Sequence, residues 1–531
     1  MPIGYFSLIL HAHLPFVRHP EYPEFLEEDW LYEAITEVYL PLIFIFQRLH
    51  EAGANPRLAM NVSPPLCEML ADKLLQERYT HHLKNLLELA EKEVERTRKE
   101  APEFFPVAKM YVENLGHSLE LWENKYQRNL INAFRELQDK GVLEIITCGA
   151  THGFLPLMST KEAQKAQIQV AVTNYKKHFG RNPRGIWLPE CAYAHGIEDL
   201  LKEAGIEYFI SDTHAILYGE PRPRFGVHAP VRCPNGVATF SRDVYTSQQV
   251  WSSEVGYPGD PFYREFYRDI GWDLPLEYLK PHLHKDANRR HLGLKYYRIT
   301  SRTTDAGYKQ PYIPEIAQEK AAQHASHFVG ERIKQAKQLR ETYEGHPPLV
   351  VSPYDAELYG HWWFEGPMFL DFLFRKFHYD QDEIKPVTPG DYLDSGLPIQ
   401  TQIPSASSWG ENGYYKVWLN ENTAWMYPYQ HNAESKMTEL ANKFDNPNEL
   451  ENRALNQLAR ELLLAQSSDW AFQIYQGTTV QYAQKRFQSH IHRFNLIAEM
   501  LETQQFNQEL LSEIESRDNI FSEIDYRIYK S

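Results

Sequence analysis

The stretch G-I-W-L-P-E-C-A-Y, residues 185–193, is a short apolar run that stops at Pro189 and Glu190. Such a run, closed by a proline, reads as a buried strand ending at the rim of a sheet, where it presents a carboxylate. A solvated loop glutamate fits the same spacing, so the reading turns on whether the pattern recurs. It does: apolar residues 5–10 lead to His11, 58–62 to Ser63, 143–147 toward His152, 206–210 to Asp212, and 349–351 to Asp355. In an α/β barrel the C-terminal ends of the parallel strands converge on one face, and these side chains then meet around one cleft.

Working outward, residues 71–140 change to a charged helical pattern with Leu83, Leu86, Leu87, Ala90 and Val94 at helix-compatible spacing. This predicts an inserted helical subdomain. From about Asp391 a turn-rich aromatic segment precedes helices that carry Leu455, Leu458 and Leu462, then Phe487, Ile491 and Phe494, on one face. The expected organisation is an α/β catalytic domain over residues 1–390, with a helical insertion at about 71–140, and a C-terminal helical domain over 391–531. No internal repeat of fixed period and no low-complexity tract interrupts it.

A length of 531 residues fits two or three domains, and 43% hydrophobic with 13% aromatic residues describes a folded chain. The 55 basic residues against 71 acidic ones give a net charge of −16, which opposes nucleic acid and anionic lipid and suits a neutral partner. Cys67, Cys148, Cys191 and Cys233 lie far apart, with no C-x-x-C pair and no disulfide-scaffold density. The N-terminal M-P-I-G-Y-F-S-L-I-L-H lacks the basic start and long apolar run of a signal peptide, and no segment reaches transmembrane length. A cytoplasmic protein is expected.

Three clusters can carry chemistry. In H-A-H-L-P-F, residues 11–16, His11 and His13 point to the same side of an extended segment. That geometry suits a metal pair, hydrogen bonds to sugar hydroxyls, or a structural role, and no additional ligand cluster accompanies it. The second cluster surrounds Glu190. The third, V-S-P-Y-D-A-E-L-Y-G-H-W-W-F-E-G-P at 351–367, crowds Asp355, Glu357, His361, Trp362, Trp363 and Glu365 at a strand end. Two carboxylates on separate strand ends, among Trp, Tyr and His, are what glycosidic-bond chemistry needs. One attacks or supports the anomeric carbon, the other protonates the departing oxygen, and aromatic faces stack on the pyranose. No G-x-G-x-x-G opening a helix, Walker loop or G-x-S-x-G elbow competes with this reading.

At these residues the sequence resembles glycoside hydrolase family 57, and within it the 1,4-α-glucan branching enzymes, over nearly its whole length. HAHLPF resembles the family's first motif, ATHGFLP around His152 the second, WLPE the third and SPYDAELYGHWWFEGP the fourth. The fifth is matched less sharply by the stretch running through Trp409 and Trp418 to Asp469 and Trp470. Residues 242–273, R-D-V-Y-T-S-Q-Q-V-W onward, resemble an insertion of the branching enzymes rather than of the amylases. The resemblance implies a seven-stranded (β/α) barrel, a retaining mechanism, and no metal or organic cofactor. It makes Glu190 the nucleophile and Asp355 the general acid/base, about 5 to 5.5 Å apart. It also places Tyr245 or Tyr257 in a loop over the cleft.

An α-glucan such as amylose, glycogen or a starch-like polymer is then expected to stack on Trp272, Trp362, Trp409 and Trp418 and to be hydrogen-bonded by His11, His13, His152 and Asp469. Each tryptophan suits core as well as platform. The competing readings are a family 57 amylase or 4-α-glucanotransferase with the same carboxylates, a glucan-binding protein without catalysis, and a metal-dependent enzyme built on His11 and His13.

Overall fold

The structure, a computed structural model, describes residues 2–252, 255–301 and 303–531. Strand β1 (Gly4–Ala12) lies at the centre of a parallel sheet because its residues are buried along nearly their whole length, as expected of a strand covered on both faces. It pairs with β2 (Leu58–Val62), which pairs with β3 (Leu143–Ile146). A second sheet contains β4 (Gly185–Trp187), β5 (Tyr208–Ser211), β6 (Val231–Arg232) and β7 (Ala238–Ser241). Strand β8 (Leu349–Asp355) returns to the other edge of β1, and β9 (Ile384–Pro386) also pairs with β1. Finally β10 (Gln400–Thr401) joins β6.

The sheets meet at two places. Thr147, just past β3, bridges in parallel to Ile186 of β4. Beyond β7, the Asp243 amide donates to the Val351 carbonyl of β8 at 2.9 Å. One buried cluster draws Ile9, Ala59, Ile146, Trp187, Ile210, Phe240 and Val351 from seven different strands. A larger core lies outside it, where helices such as Lys161–Phe179, Pro314–Thr342 and Gly366–Tyr379 cover the strands. This is an α/β fold with a C-terminal helical part, Met426–Lys443, Glu449–Ala465, Ser468–Gln476 and Val480–Thr503. The change of character at residue 391 is not a break in packing. The chain stays on the sheets through β10 and through Ser407, which bridges to Tyr193. Among the described residues, no helix is long and apolar enough to cross a membrane.

The inserted helices are Lys73–Glu100, Phe105–Glu120 and Leu130–Asp139, between β2 and β3. The first two receive a distant partner, the excursion between β7 and β8. Tyr278 and Tyr296 of that excursion donate to Glu93 at 2.7 and 2.8 Å, and Tyr111 donates to the Lys295 carbonyl at 2.9 Å. Glu93 is fully buried, yet burial, which works to raise its pKa, is overcome by Arg96, Tyr278 and Tyr296, so the net shift is downward. Glu93→Ala leaves Arg96 and two phenols facing a void and is expected to cost about 3 kcal/mol at neutral pH. A carboxylate with a depressed folded pKa stabilises above its unfolded value and loses that contribution as pH falls through the folded one. The deficit of the variant, read from thermal melts, therefore shrinks on acidification.

Candidate active site

Glu190 sits in a turn with an uncommon backbone for a residue that has a side chain. Its φ is 61° and that of Cys191 is 50°, two consecutive non-glycine residues in the left-handed region. Each such residue costs on the order of 1–3 kcal/mol and persists where its surroundings hold it. The holding contacts are visible: the Cys191 amide donates to the Leu188 carbonyl at 2.7 Å, and the Trp409 amide donates to the Glu190 carbonyl at 3.0 Å. The turn aims the carboxylate inward. Trp409 Nε1 donates to Oε2 at 2.9 Å and Ser468 Oγ donates to Oε1 at 2.7 Å, so both oxygens are oriented. Burial pushes the Glu190 pKa up, opposed by these two hydrogen bonds.

Asp355 ends β8 directly beside His11 of β1, whose other neighbour is Asn61 of β2. Partners in a parallel register project to the same side. Asp355 is held well above the usual carboxylate range, first by burial, then by the charges of Glu357 and Glu190, with Arg242 opposing. A carboxyl pushed this far up, near one whose oxygens each accept a hydrogen bond, suits the division of labour between a general acid and a nucleophile. Two positions on, Glu357 is pushed up to about 7 by burial, while Tyr39, donating to its Oε1 at 2.5 Å, works the other way.

The three histidines form one block. His11 stacks on Trp187 at 4.5 Å, and His13 stacks on His152 at 3.8 Å. His11 Nδ1 faces Asn61 Oδ1 at 2.6 Å and its Nε2 faces His152 Nε2 at 3.0 Å. His152 Nδ1 faces Ser468 Oγ at 2.8 Å. His13 Nδ1 pairs with Ser63 at 2.9 Å and its Nε2 with Asp469 Oδ2 at 3.0 Å. Burial raises the Asp469 pKa, but His13, His152 and Ser467 outweigh it and hold the group at about 2. Burial, then neighbouring imidazoles, lower His11 and His152 well below the ordinary histidine value.

Ligand atoms of His13, His152 and Asp469 lie within 4.8 Å of one another, as do those of His11, Cys148 and His152. Both ring nitrogens of every histidine already face a protein partner, and stacked rings run their in-plane lone pairs side by side. The donor set therefore fits a metal poorly.

Of the expected glucan contacts, the structure brings His11, His13, His152, Asp469 and Trp409 together around Glu190. Trp418 is a correction: it is 1% exposed, packed on Phe154 at 4.5 Å, and offers no free face to a sugar. Tyr257 is another: it is buried, its hydroxyl is 2.7 Å from His327 Nδ1 and its ring stacks on His324, so it anchors its segment to the helix Pro314–Thr342. Tyr245 is partly exposed but donates to Glu331 of the same helix at 2.6 Å. Trp272 is exposed with its edge toward His291, and Trp362 is exposed and stacked on Phe266 at 4.5 Å. Within 242–273, residues 253 and 254 lie outside the described residues. From this segment Trp251, 44% exposed, reaches the site, its ring 6.4 Å from that of Trp409.

Sequence reasoning missed Ser468 and Asn61, whereas Ser63, expected at the end of its strand, holds His13 Nδ1. Asn61 carried a signal, being the polar residue inside an otherwise apolar strand. Ser468 begins a helix, where a serine reads as a cap, although Ser467 is the residue at that position.

Two buried carboxyls within electrostatic reach of each other, Glu190 oriented through both oxygens and Asp355 with its pKa pushed well up, are the pair that a glycosidic-bond enzyme of the two-carboxylate kind uses. The comparison with known sequences is more specific: the model of glycosyl hydrolase family 57 matches residues 7–395, and the chain belongs to that family. A second model, 1,4-alpha-glucan branching enzyme, C-terminal, matches residues 429–529. A 1,4-alpha-glucan branching enzyme of Thermococcus kodakarensis is 36% identical over 98% of this chain and 77% of its own. Among solved structures, the alpha-amylase AmyC of Thermotoga maritima is 43% identical with a TM-score of 0.94, covering 100% of this chain and 99% of its own. The family 57 branching enzyme of Pyrococcus horikoshii is 36% identical with a TM-score of 0.89, covering 100% and 97%.

Proposed function

We infer that this chain is a 1,4-α-glucan branching enzyme, a glycosyltransferase that cleaves an α-1,4 bond and moves the released chain to a 6-hydroxyl, making an α-1,6 branch. The observation that carries the activity is the pair of carboxyl environments: Glu190 oriented through both oxygens, and Asp355 with its pKa pushed well up by burial and then by the charges of Glu357 and Glu190. The branching outcome is supported by the C-terminal model at 429–529 and by the relatives from Thermococcus and Pyrococcus.

The chemistry is retaining. Glu190 attacks the anomeric carbon while Asp355 protonates the leaving oxygen, giving a glycosyl-enzyme. Asp355, then ionised, takes the proton of an acceptor 6-hydroxyl, and that oxygen displaces Glu190. No cofactor enters either step. His11, His13, His152 and Asp469 orient the donor sugar. The seven strands β1, β2, β3, β4, β5, β7 and β8 are best described as a closed barrel, supported by the Thr147–Ile186 bridge, the Asp243–Val351 hydrogen bond and the shared inner cluster. Residues 1–390 form the catalytic unit, with the remainder completing the cleft through Trp409 and supplying the helical domain. A cytoplasmic setting fits the four unpaired, buried cysteines, and a neutral glycogen-like polymer as product fits a chain of net charge −16.

The amylase reading shares both carboxylates and has AmyC in its favour. Incubation with amylose followed by linkage analysis separates the two: α-1,6 linkages must accumulate faster than reducing ends, and reducing ends alone would establish hydrolysis.

Water and acceptor compete for the same glycosyl-enzyme, so the group that covers it sets the outcome. Trp251, edge-on to the Trp409 ring that hydrogen-bonds Glu190, is the candidate for that group. Trp251→Ala is expected to raise the ratio of new reducing ends to new α-1,6 branches severalfold; equal loss of both products would assign Trp251 to donor binding.

A further inference from the structure

Five groups form an unbroken chain from the nucleophile into the protein: Glu190 Oε1, Ser468 Oγ, His152, His11 and Asn61, joined at 2.7, 2.8, 3.0 and 2.6 Å. The protons on it can be counted. Asn61 Nδ2 donates to the Ile146 carbonyl at 3.3 Å, so the atom facing His11 is the amide oxygen, an acceptor. His11 Nδ1 must therefore carry a proton. With His11 neutral, its Nε2 is bare and His152 Nε2 must donate to it. With His152 also neutral, its Nδ1 is bare and takes the single hydroxyl proton of Ser468. Ser468 then has only lone pairs left for Glu190 Oε1, and a contact of 2.7 Å requires the proton to be on the carboxyl. If Glu190 is instead ionised, Ser468 donates to it, and must accept from a proton on His152 Nδ1.

We propose that Ser468 is a proton relay between Glu190 and His152, so that the nucleophile ionises by passing its proton inward instead of to solvent. The Oε1 proton goes to Ser468 Oγ as the Ser468 proton goes to His152 Nδ1: one O–H bond breaks and one forms at the serine, one N–H bond forms at the histidine, and the total charge is unchanged. This rests on Glu190 being the nucleophile. It resolves a tension in the site, since a buried carboxylate is costly alone and tolerable beside an imidazolium. Burial, the largest influence on His152, and His13 of β1 oppose the imidazolium, so the balance rests on the groups that favour it: Asp469, which lowers its cost, and the Glu190 carboxylate formed in the same step; Cys148, after β3, contributes a neutral thiol. Glu190 in turn faces Asp469 and His13, and lies within electrostatic reach of Asp355.

Because Ser468 acts through Glu190, the readout is the pH profile of kcat/KM on a soluble maltooligosaccharide, with kcat and KM separated. Ser468→Ala is expected to lower kcat about tenfold to a hundredfold with KM nearly unchanged, and to move the acid limb up by about one pH unit. Ser468→Thr keeps the hydroxyl and restores both. If Ser468→Ala does not fold, His152→Gln removes the acceptor and is read on the same limb. An acid limb that stays in place in a folded Ser468→Ala, or that Ser468→Thr fails to restore, overturns the relay. Glu190→Gln, run alongside, tells the two failures apart: inactive with an unshifted Ser468→Ala limb, it leaves the nucleophile standing and removes only the relay, whereas an active Glu190→Gln removes both.

Discussion

Glu190→Gln is expected to abolish turnover of amylose, by about 10³-fold or more, while the protein folds as before. The amide is nearly isosteric and accepts the Trp409 hydrogen bond at its oxygen, but it cannot form the ester on which the two-step cycle depends. The left-handed turn at 190–191 is fixed by backbone contacts from Leu188 and Trp409, which do not involve the side chain, so the fold has no reason to change. Activity assays beside circular dichroism check both halves. Turnover in a folded variant would move the nucleophile elsewhere.

Asp355→Asn should lower the rate on amylose by about 10²–10⁴-fold, the usual range for a positioned acid/base. Its diagnostic signature is dependence on the leaving group. Breaking a glucan bond needs a proton on the departing oxygen; departure of fluoride from an α-glucosyl fluoride does not, so that substrate should lose far less at its first step. The second step still needs a base to deprotonate the acceptor. Azide, which needs none, should restore turnover and appear as an α-glucosyl azide. The pH profile gives an independent check. The Asp355 pKa is raised in the folded enzyme, so the working general acid is present below that value and lost as pH rises through it. The basic limb of kcat/KM should therefore vanish in the asparagine variant. Equal losses on both substrates, with no azide product, would give the acid/base role to another group such as Glu357.

Part of the candidate site was legible because buried parallel strands announce themselves as apolar runs and the polar residue that stops a run sits at the C-terminal end of its strand. His11 and Asp355 follow this rule, and they are lateral neighbours across β1 and β8. What was not legible depends on contacts between distant segments. Trp418 and Trp409 are both aromatic residues in one turn-rich stretch. Only the position of Phe154 beside the first and of Glu190 beside the second makes one core and the other a hydrogen-bond donor to a buried carboxylate. Tyr257 reads as a loop aromatic until the helix Pro314–Thr342 supplies His324 and His327 to receive it. The packing of the inserted helices on the excursion around Tyr278 and Tyr296 spans nearly 200 residues of chain and has no local signature. Ser468 is the sharpest case: a helix-start serine has an ordinary local explanation, and its approach to Glu190 comes from a C-terminal helix packing against the turn after β4.

The central claim is that Glu190 carries the glucan as a covalent ester that an acceptor hydroxyl then resolves. The most direct measurement is to slow the second step with a 5-fluoro-α-glucosyl fluoride, digest the protein, and locate the added sugar by mass spectrometry. The account predicts one labelled peptide containing residues 185–193, with the sugar on Glu190, and recovery of activity when a maltooligosaccharide acceptor is added. A label on Asp355 or Glu357, or a protein that turns the substrate over to the inverted product and never carries a sugar, would contradict it.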